Sequence, residues 1–128
     1  MTVSKVMLDS SAWLRYFLSN EQKVKELLDS NETLLFTSVI SFHEVHKALS
    51  KYGRSSQDLH RAIAFIEDSS IVLPVSKDIA LSSSMNCLRH KLHTVDSIIY
   101  TTAEGVGSEL VTFDRDFKGL AKVRLLSS

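Results

Sequence analysis

The chain has 128 residues, 44% of them hydrophobic and 23% charged, which is the balance of one globular domain with one core and excludes disordered, collagen-like and coiled-coil architectures. Fifteen Lys and Arg offset fifteen Asp and Glu, so no bulk positive charge marks a nucleic-acid-coating protein, and contact with a polyanion has to come from local patches.

A brief apolar run from Lys5 to Leu8 stops at Asp9, Ser10 and Ser11, and Ala12, Trp13, Leu14 and Phe17 then resume at helical spacing. This predicts strand, tight turn and helix, with Asp9 at the strand's carboxyl end and the two serines as helix caps. Trp13 and Phe17 read as core or dimer packing in preference to base stacking. Glu21 to Asp29 forms a short helix, Leu34 to Thr37 a strand, and Val39 to Tyr52 a longer helix closed by Gly53. Ser55 and Ser56 open a further helix reaching Asp68. Ile71 to Val75 is a β-branched strand whose Pro74 places it at a sheet edge. Ser76 to His90 and Val95 to Glu104 are helical, the second ending at Gly105, and Cys87 in the first reads as a small, half-buried residue. Leu110 to Thr112 is a strand running into Phe113 and Asp114, and Val123 to Leu126 a last strand. No basic-then-apolar leader opens the chain and no apolar run approaches the ~18 residues of a bilayer span, so a soluble, cytoplasmic protein is expected.

Alternating strands and helices predict an α/β fold with a mostly parallel sheet, all within one domain, residues 1–128. Ligands of such sheets bind beyond the carboxyl ends of the strands, where Asp9 and Asp114 both fall. At roughly 100° per residue, Phe42, Val45, Ala48, Leu49 and Tyr52 form the core stripe of their helix, and Glu44 lies at its margin beside Ala48. Asp96 repeats the pattern at the margin of Val95, Ile98, Ile99, Thr102 and Ala103. Taken singly, each acid has an ordinary structural use as a cap, a solvated helix residue or a turn former. Together they place four carboxylates where they can meet. Like charges ~4 Å apart repel by several kcal/mol at an effective dielectric near 20, so such a cluster takes up protons or cations. All-oxygen donors suit Mg²⁺ or Mn²⁺, and a carboxylate-held divalent ion points to metal-assisted phosphodiester hydrolysis.

The segments carrying these acids are VMLDSSAWL (6–14), TSVISFHEV (37–45), VDSIIYTTA (95–103) and LVTFDRDF (110–117). Their order and content resemble the PIN-domain ribonucleases, especially the VapC-type toxins of prokaryotic type II toxin–antitoxin pairs. That resemblance implies a three-layer α/β/α fold, Mg²⁺- or Mn²⁺-dependent endoribonuclease activity on RNA, a homodimer, and an antitoxin protein that blocks the site. It puts Asp9, Glu44, Asp96 and Asp114 in the catalytic metal cluster, with Asp116 sharing or replacing the role of Asp114. Ser10 and Thr112 match positions where a hydroxyl orients a carboxylate or a metal water. The chain departs from the family at Ser97 and Thr101-Thr102, where small apolar residues are usual; this bears on helix packing and leaves every acidic position in place.

His43 and His46 flank Glu44 but lack the four-residue spacing of a zinc protease helix, so they read as surface residues. Arg89, His90, Lys91 and His93 form either a solvated helix end or a phosphate-binding run before Asp96, which Arg15, Lys47, Arg115 and Lys118 could extend. Three other readings compete. A signalling receiver domain also gathers acids around Mg²⁺, but the strand from Ile71 reaches Val75-Ser76-Lys77 without the aspartate it requires. A non-catalytic PIN-fold RNA-binding or scaffolding module is disfavoured by the intact acids. A nuclease acting on structured DNA could use the same carboxylates.

Overall fold

The computed structural model describes residues 3–127. In chain order the elements are β1 (Ser4–Leu8), α1 (Ser10–Ser19), α2 (Gln22–Asp29), β2 (Thr33–Ser38), α3 (Ile40–Lys51), α4 (Ser56–Ser69), β3 (Ile71–Leu73), α5 (Lys77–His90), α6 (Thr94–Val106), β4 (Glu109–Thr112) and β5 (Val123–Leu125), with a single 3₁₀ turn at Arg115–Phe117. The strands form one sheet in the order β3-β2-β1-β4-β5. Every pairing is parallel, with Val6 opposite Leu35 and Glu109, and Leu8 opposite Val111.

Alternation along the strands sends side chains to two cores. Val6, Leu8, Leu35 and Val111 join Ala12, Trp13, Val24, Val45, Leu49 and Ile66 from α1 to α4. Met7, Phe36 and Leu110 face the other way, onto Ile99, Tyr100 and Ala103 of α6 and onto Phe117. Helices thus cover both sides of the sheet, the arrangement an all-parallel sheet requires. Trp13 is fully buried, stacks on Phe17 with ring centroids 5.9 Å apart, and donates its indole N–H to Thr37 Oγ1.

Several expectations are corrected. The cap of α1 is Asp9, whose carboxylate accepts from Ala12 N, while Ser10 and Ser11 lie inside the helix. Asp9 reaches the N–H that the serines were expected to hold because the strand delivers it in extended geometry one residue earlier. Tyr52 is exposed rather than part of the core stripe, although its N–H still donates to Ala48 O at the end of α3. α6 passes through Gly105 to Val106, and it is Gly107, at φ +68°, that takes the left-handed capping conformation. β3 ends at Leu73, because Pro74 has no N–H to continue the ladder. The unusual hydroxyls of α6 are absorbed by a buried polar seam with α5. Ser97 Oγ donates to Ser83 O (2.6 Å), Asn86 Nδ2 donates to Thr101 Oγ1 (2.9 Å) and Glu104 Oε1 (2.8 Å), and Thr102 Oγ1 donates back to Ile98 O (2.7 Å).

Candidate metal centre

The sheet order reverses at β1. β2 and β3 build outward on one side, β4 and β5 on the other, so the crevice beyond β1 and β4 is the topological switch point where open α/β sheets bind ligands. Asp9 leaves the end of β1, and its N–H donates to Val111 O of β4. Asp114 follows two residues after β4 and accepts from Asp116 N with Oδ1 (2.9 Å), capping the 3₁₀ turn. Glu44, on the second turn of α3, and Asp96, on the first turn of α6, enter from the helices; both are partly buried. Asp9, Glu44, Asp96 and Asp114 together line one cleft of about 260 Å³, and among the described residues Lys47 is the only cation lining it.

Within the cleft two subsets can be distinguished. One carboxylate oxygen from each of Asp96, Asp114 and Asp116 lies within 4.8 Å of the others, although Asp116 itself is exposed and outside the cleft lining. Asp9 stands on the inner side and is 3% exposed. Its Oδ1 accepts from Ser11 Oγ (2.7 Å) and Ala12 N (2.9 Å), and its Oδ2 accepts from Thr112 Oγ1. A carboxylate oxygen can accept twice, so Oδ2 keeps one open direction. Among the described residues, no protein group donates to the carboxylates of Glu44 or Asp96.

Burial pushes Asp9 up to about 6 even though Thr112, Ser11 and Ala12 all hydrogen-bond its charged form, and the nearby charge of Asp114 adds to the rise. Asp96 is pushed up to about 7, first by burial and then by the like charges of Asp114, Glu44, Asp9 and Asp116. The donor set is oxygen only, it carries excess negative charge, and two of its members resist ionising in the absence of a counter-charge. These residues fit a hard divalent cation, which would remove the repulsion between them.

Ser10 lines the cleft without a hydrogen bond to any of its carboxylates. Ser10 Oγ donates to Ser41 Oγ (3.1 Å). Ser11 is the serine that holds Asp9, and it also lies 3.2 Å from Thr112 Oγ1 and accepts from Phe113 N (2.9 Å). Thr112 Oγ1 in turn accepts from Asp114 N (2.9 Å), linking the two strand-end acids through one hydroxyl. Nothing in the sequence separates the adjacent serines except the helical phase, which is set only once Asp9 is known to be the cap. Thr112→Val keeps the side chain's shape but removes both links. Orienting groups of this kind are worth about 10–100-fold in metal affinity or activity. A loss of that size in a divalent-metal-dependent assay is expected for Thr112→Val, with Thr112→Ser retaining most of the function.

None of the other basic residues singled out from the sequence lines the cleft. Arg15 lies over the Phe113 ring, 4.6 Å from its centroid. Arg115 is exposed between Asp114 and Asp116, and Lys118 is exposed just after it. Arg89 and Lys91 are exposed at the end of α5 and His93 at the start of α6, and His90 stands edge-on to Tyr100.

Residues 6–123 match the family model described as PIN domain. No curated protein sequence matches the chain. Among solved structures, a toxin–antitoxin complex from Klebsiella pneumoniae aligns at 26% identity with a TM-score of 0.78, covering 93% of this chain and 95% of that one. VapC20 of Mycobacterium tuberculosis, a toxin that cleaves the sarcin–ricin loop, aligns at 18% identity and a TM-score of 0.77, covering 95% and 99% of the two chains. VapBC2 of Rickettsia felis, bound to a DNA fragment from its promoter, aligns at 16% identity and a TM-score of 0.76, covering 96% and 99%.

Proposed function

The chain belongs to the PIN domain family, and on that premise we propose that it is a divalent-metal-dependent endoribonuclease, the toxin of a type II toxin–antitoxin pair. The observation that carries this reading is the convergence of Asp9, Glu44, Asp96 and Asp114 in one cleft at the sheet's switch point, with Lys47 alone among the described lining residues to offset them. Asp96, Asp114, Glu44 and the open direction of Asp9 Oδ2 would hold Mg²⁺ or Mn²⁺, with Asp116 available from the rim. A bound ion of this kind supplies Lewis-acid activation of water and neutralises charge developing on the phosphodiester. The protein's own contribution is rigidity: Ser11, Thr112 and Ala12 fix the Asp9 carboxylate, and Thr112 fixes the backbone that presents Asp114. Basic groups around the mouth, with Arg15, Arg89, Lys91 and Arg115 as candidates, meet flanking phosphates of the RNA.

The experiment that tests the reading is incubation of purified protein with labelled structured and unstructured RNAs in Mg²⁺, Mn²⁺ or EDTA. Cuts that require the metal support it. A folded protein that binds neither metal nor RNA returns the chain to the scaffolding alternative.

The antitoxin is a separate protein that would occlude the cleft; the similar Klebsiella pneumoniae structure is itself a toxin–antitoxin complex. The toxin itself works as a homodimer in the cytoplasm; among the described residues no helix is long and apolar enough to cross a membrane. Leu81, Met85 and Leu88 support the dimer. They recur one turn apart on α5 and are 60%, 56% and 78% exposed, an apolar stripe that a second copy would cover. Leu88→Glu is expected to shift the solution mass from that of a dimer to the single chain's 14.4 kDa, measured by light scattering. A monomeric unmodified protein would contradict the assignment.

A further inference from the structure

A larger concavity than the carboxylate cleft lies between α3 and α4, about 690 Å³ against about 260 Å³. Phe42, His43, His46, Lys47, Lys51 and Ile63 line it, and no Asp or Glu among the described residues does. Lys47 lines both spaces, so the groove and the cleft adjoin at that residue. His46 also borders a further hollow that His60 lines, with no carboxylate among the described residues there. In a chain of zero net charge this is a local concentration of cationic and cation-capable side chains. Among the described residues neither Lys47 nor Lys51 is in an ion pair.

Resting on the nuclease reading above, we propose that the α3–α4 groove is the track of a single-stranded RNA arm leaving the carboxylate cleft. Lys47 and Lys51 meet successive phosphates there, with His43 and His46 along the rim. Two features favour a polyanion with a regular repeat over an acidic protein segment. A strand with its scissile phosphate in the cleft encounters Lys47, among the described residues the only cation lining it, and that residue also lines the groove. His43, Lys47 and Lys51 then follow at i, i+4 and i+8, about 6 Å apart along the helix axis, a spacing comparable to the phosphate repeat of an extended strand. The apolar floor of Phe42 and Ile63 accommodates any base without reading its identity.

The test uses Asp96→Asn protein, which holds RNA without cutting it, and a 5′-labelled unstructured RNA of about 12 nucleotides. Binding is followed by fluorescence anisotropy from about 50 to 200 mM salt. Adding Lys51→Glu, or the milder Lys51→Gln, is expected to weaken binding by about tenfold and fivefold respectively, and to reduce the slope of log affinity against log salt by about one. Circular dichroism should be unchanged, and Lys23→Glu on exposed α2 should leave affinity as it was. If RNA is bound and the unmodified chain cleaves it, but the Lys51 variants keep the parent affinity and slope, the groove is not the track and the nuclease reading stands. Intact RNA binding with a changed solution mass would assign the groove to a second copy and overturn the proposal. An unmodified chain that neither binds nor cuts RNA removes the nuclease reading, and the track falls with it.

Discussion

Asp96→Asn is expected to abolish RNA cleavage and, in the same protein, to make the metal-free fold more stable at pH 8. The two effects share one cause. Asp96 sits partly buried among the charges of Asp114, Glu44, Asp9 and Asp116, which push its carboxyl up to about 7. At pH 8 it is ionised against that opposition, and an amide of the same shape relieves the repulsion. A shift of this size in a fully buried group would correspond to several kcal/mol, but Asp96 keeps solvent contact, so screening reduces the expected gain to about 1–2 kcal/mol. The same substitution removes a carboxylate from the cation's donor set. Loss of groups that merely orient such donors costs about 10–100-fold, so loss of the donor itself should cost more. Cleavage rates and thermal midpoints in EDTA, measured side by side, check both halves. A variant that is inactive and also destabilised at pH 8 would mean that Asp96 supports the fold, contrary to the electrostatic argument.

A second large effect is expected from pH and metal acting together on stability. The folded-state values of Asp9 (about 6) and Asp96 (about 7) both lie above the ordinary carboxyl value of 3.8. Between 3.8 and those values the folded protein therefore holds more protons than the unfolded chain. Stability contributed by the two groups is complete below about pH 4, falls as pH rises, and is gone above about pH 7. The difference in thermal midpoint between the parent and Asp96→Asn isolates the Asp96 share of that slope, and it should widen from pH 5 to pH 8. A divalent ion acts in the opposite direction, because it binds the ionised cluster and competes with protons. At a hundredfold excess over its dissociation constant it adds about 2.7 kcal/mol, fully at pH 8 and much less at pH 5. Thermal scans with Mn²⁺ or EDTA at the two pH values test this. A metal-induced shift that is the same at both, or larger at pH 5, would argue against carboxylate ligation.

Much of this arrangement is legible in the residues. The strand-to-acid junctions at Leu8-Asp9 and Thr112-Phe113-Asp114 announce themselves because an apolar run stops abruptly at a carboxylate. Helical periodicity places Glu44 and Asp96 at the margins of buried stripes, and the structure keeps both partly buried. The 3.6-residue period does not say where a helix ends, and this accounts for Gly105: two glycines follow Glu104 closely, and only the structure shows that Gly107 takes the left-handed cap. Which of the adjacent serines touches Asp9 is hidden for a related reason: one residue of helical phase rotates a side chain by about 100°, enough to exchange Ser41 for Asp9 as partner. The α5–α6 seam was hidden because polar residues in adjacent helices look solvated until Asn86, Ser97 and Thr101 are seen to satisfy one another's surroundings. The α3–α4 groove is a product of tertiary packing. His43, His46, Lys47 and Lys51 look like an ordinary solvated face until Ile63 of α4 is set against them.

The central claim, that Asp9, Glu44, Asp96 and Asp114 form a divalent-metal centre, is tested most directly by calorimetric titration of Mn²⁺ into the metal-free protein at pH 8, beside the Asp96→Asn variant. The account predicts saturable binding by the parent, proton release that grows as pH falls toward 7, and binding at least tenfold weaker in the variant. Binding of equal strength in both proteins, or none in a folded parent, would contradict it.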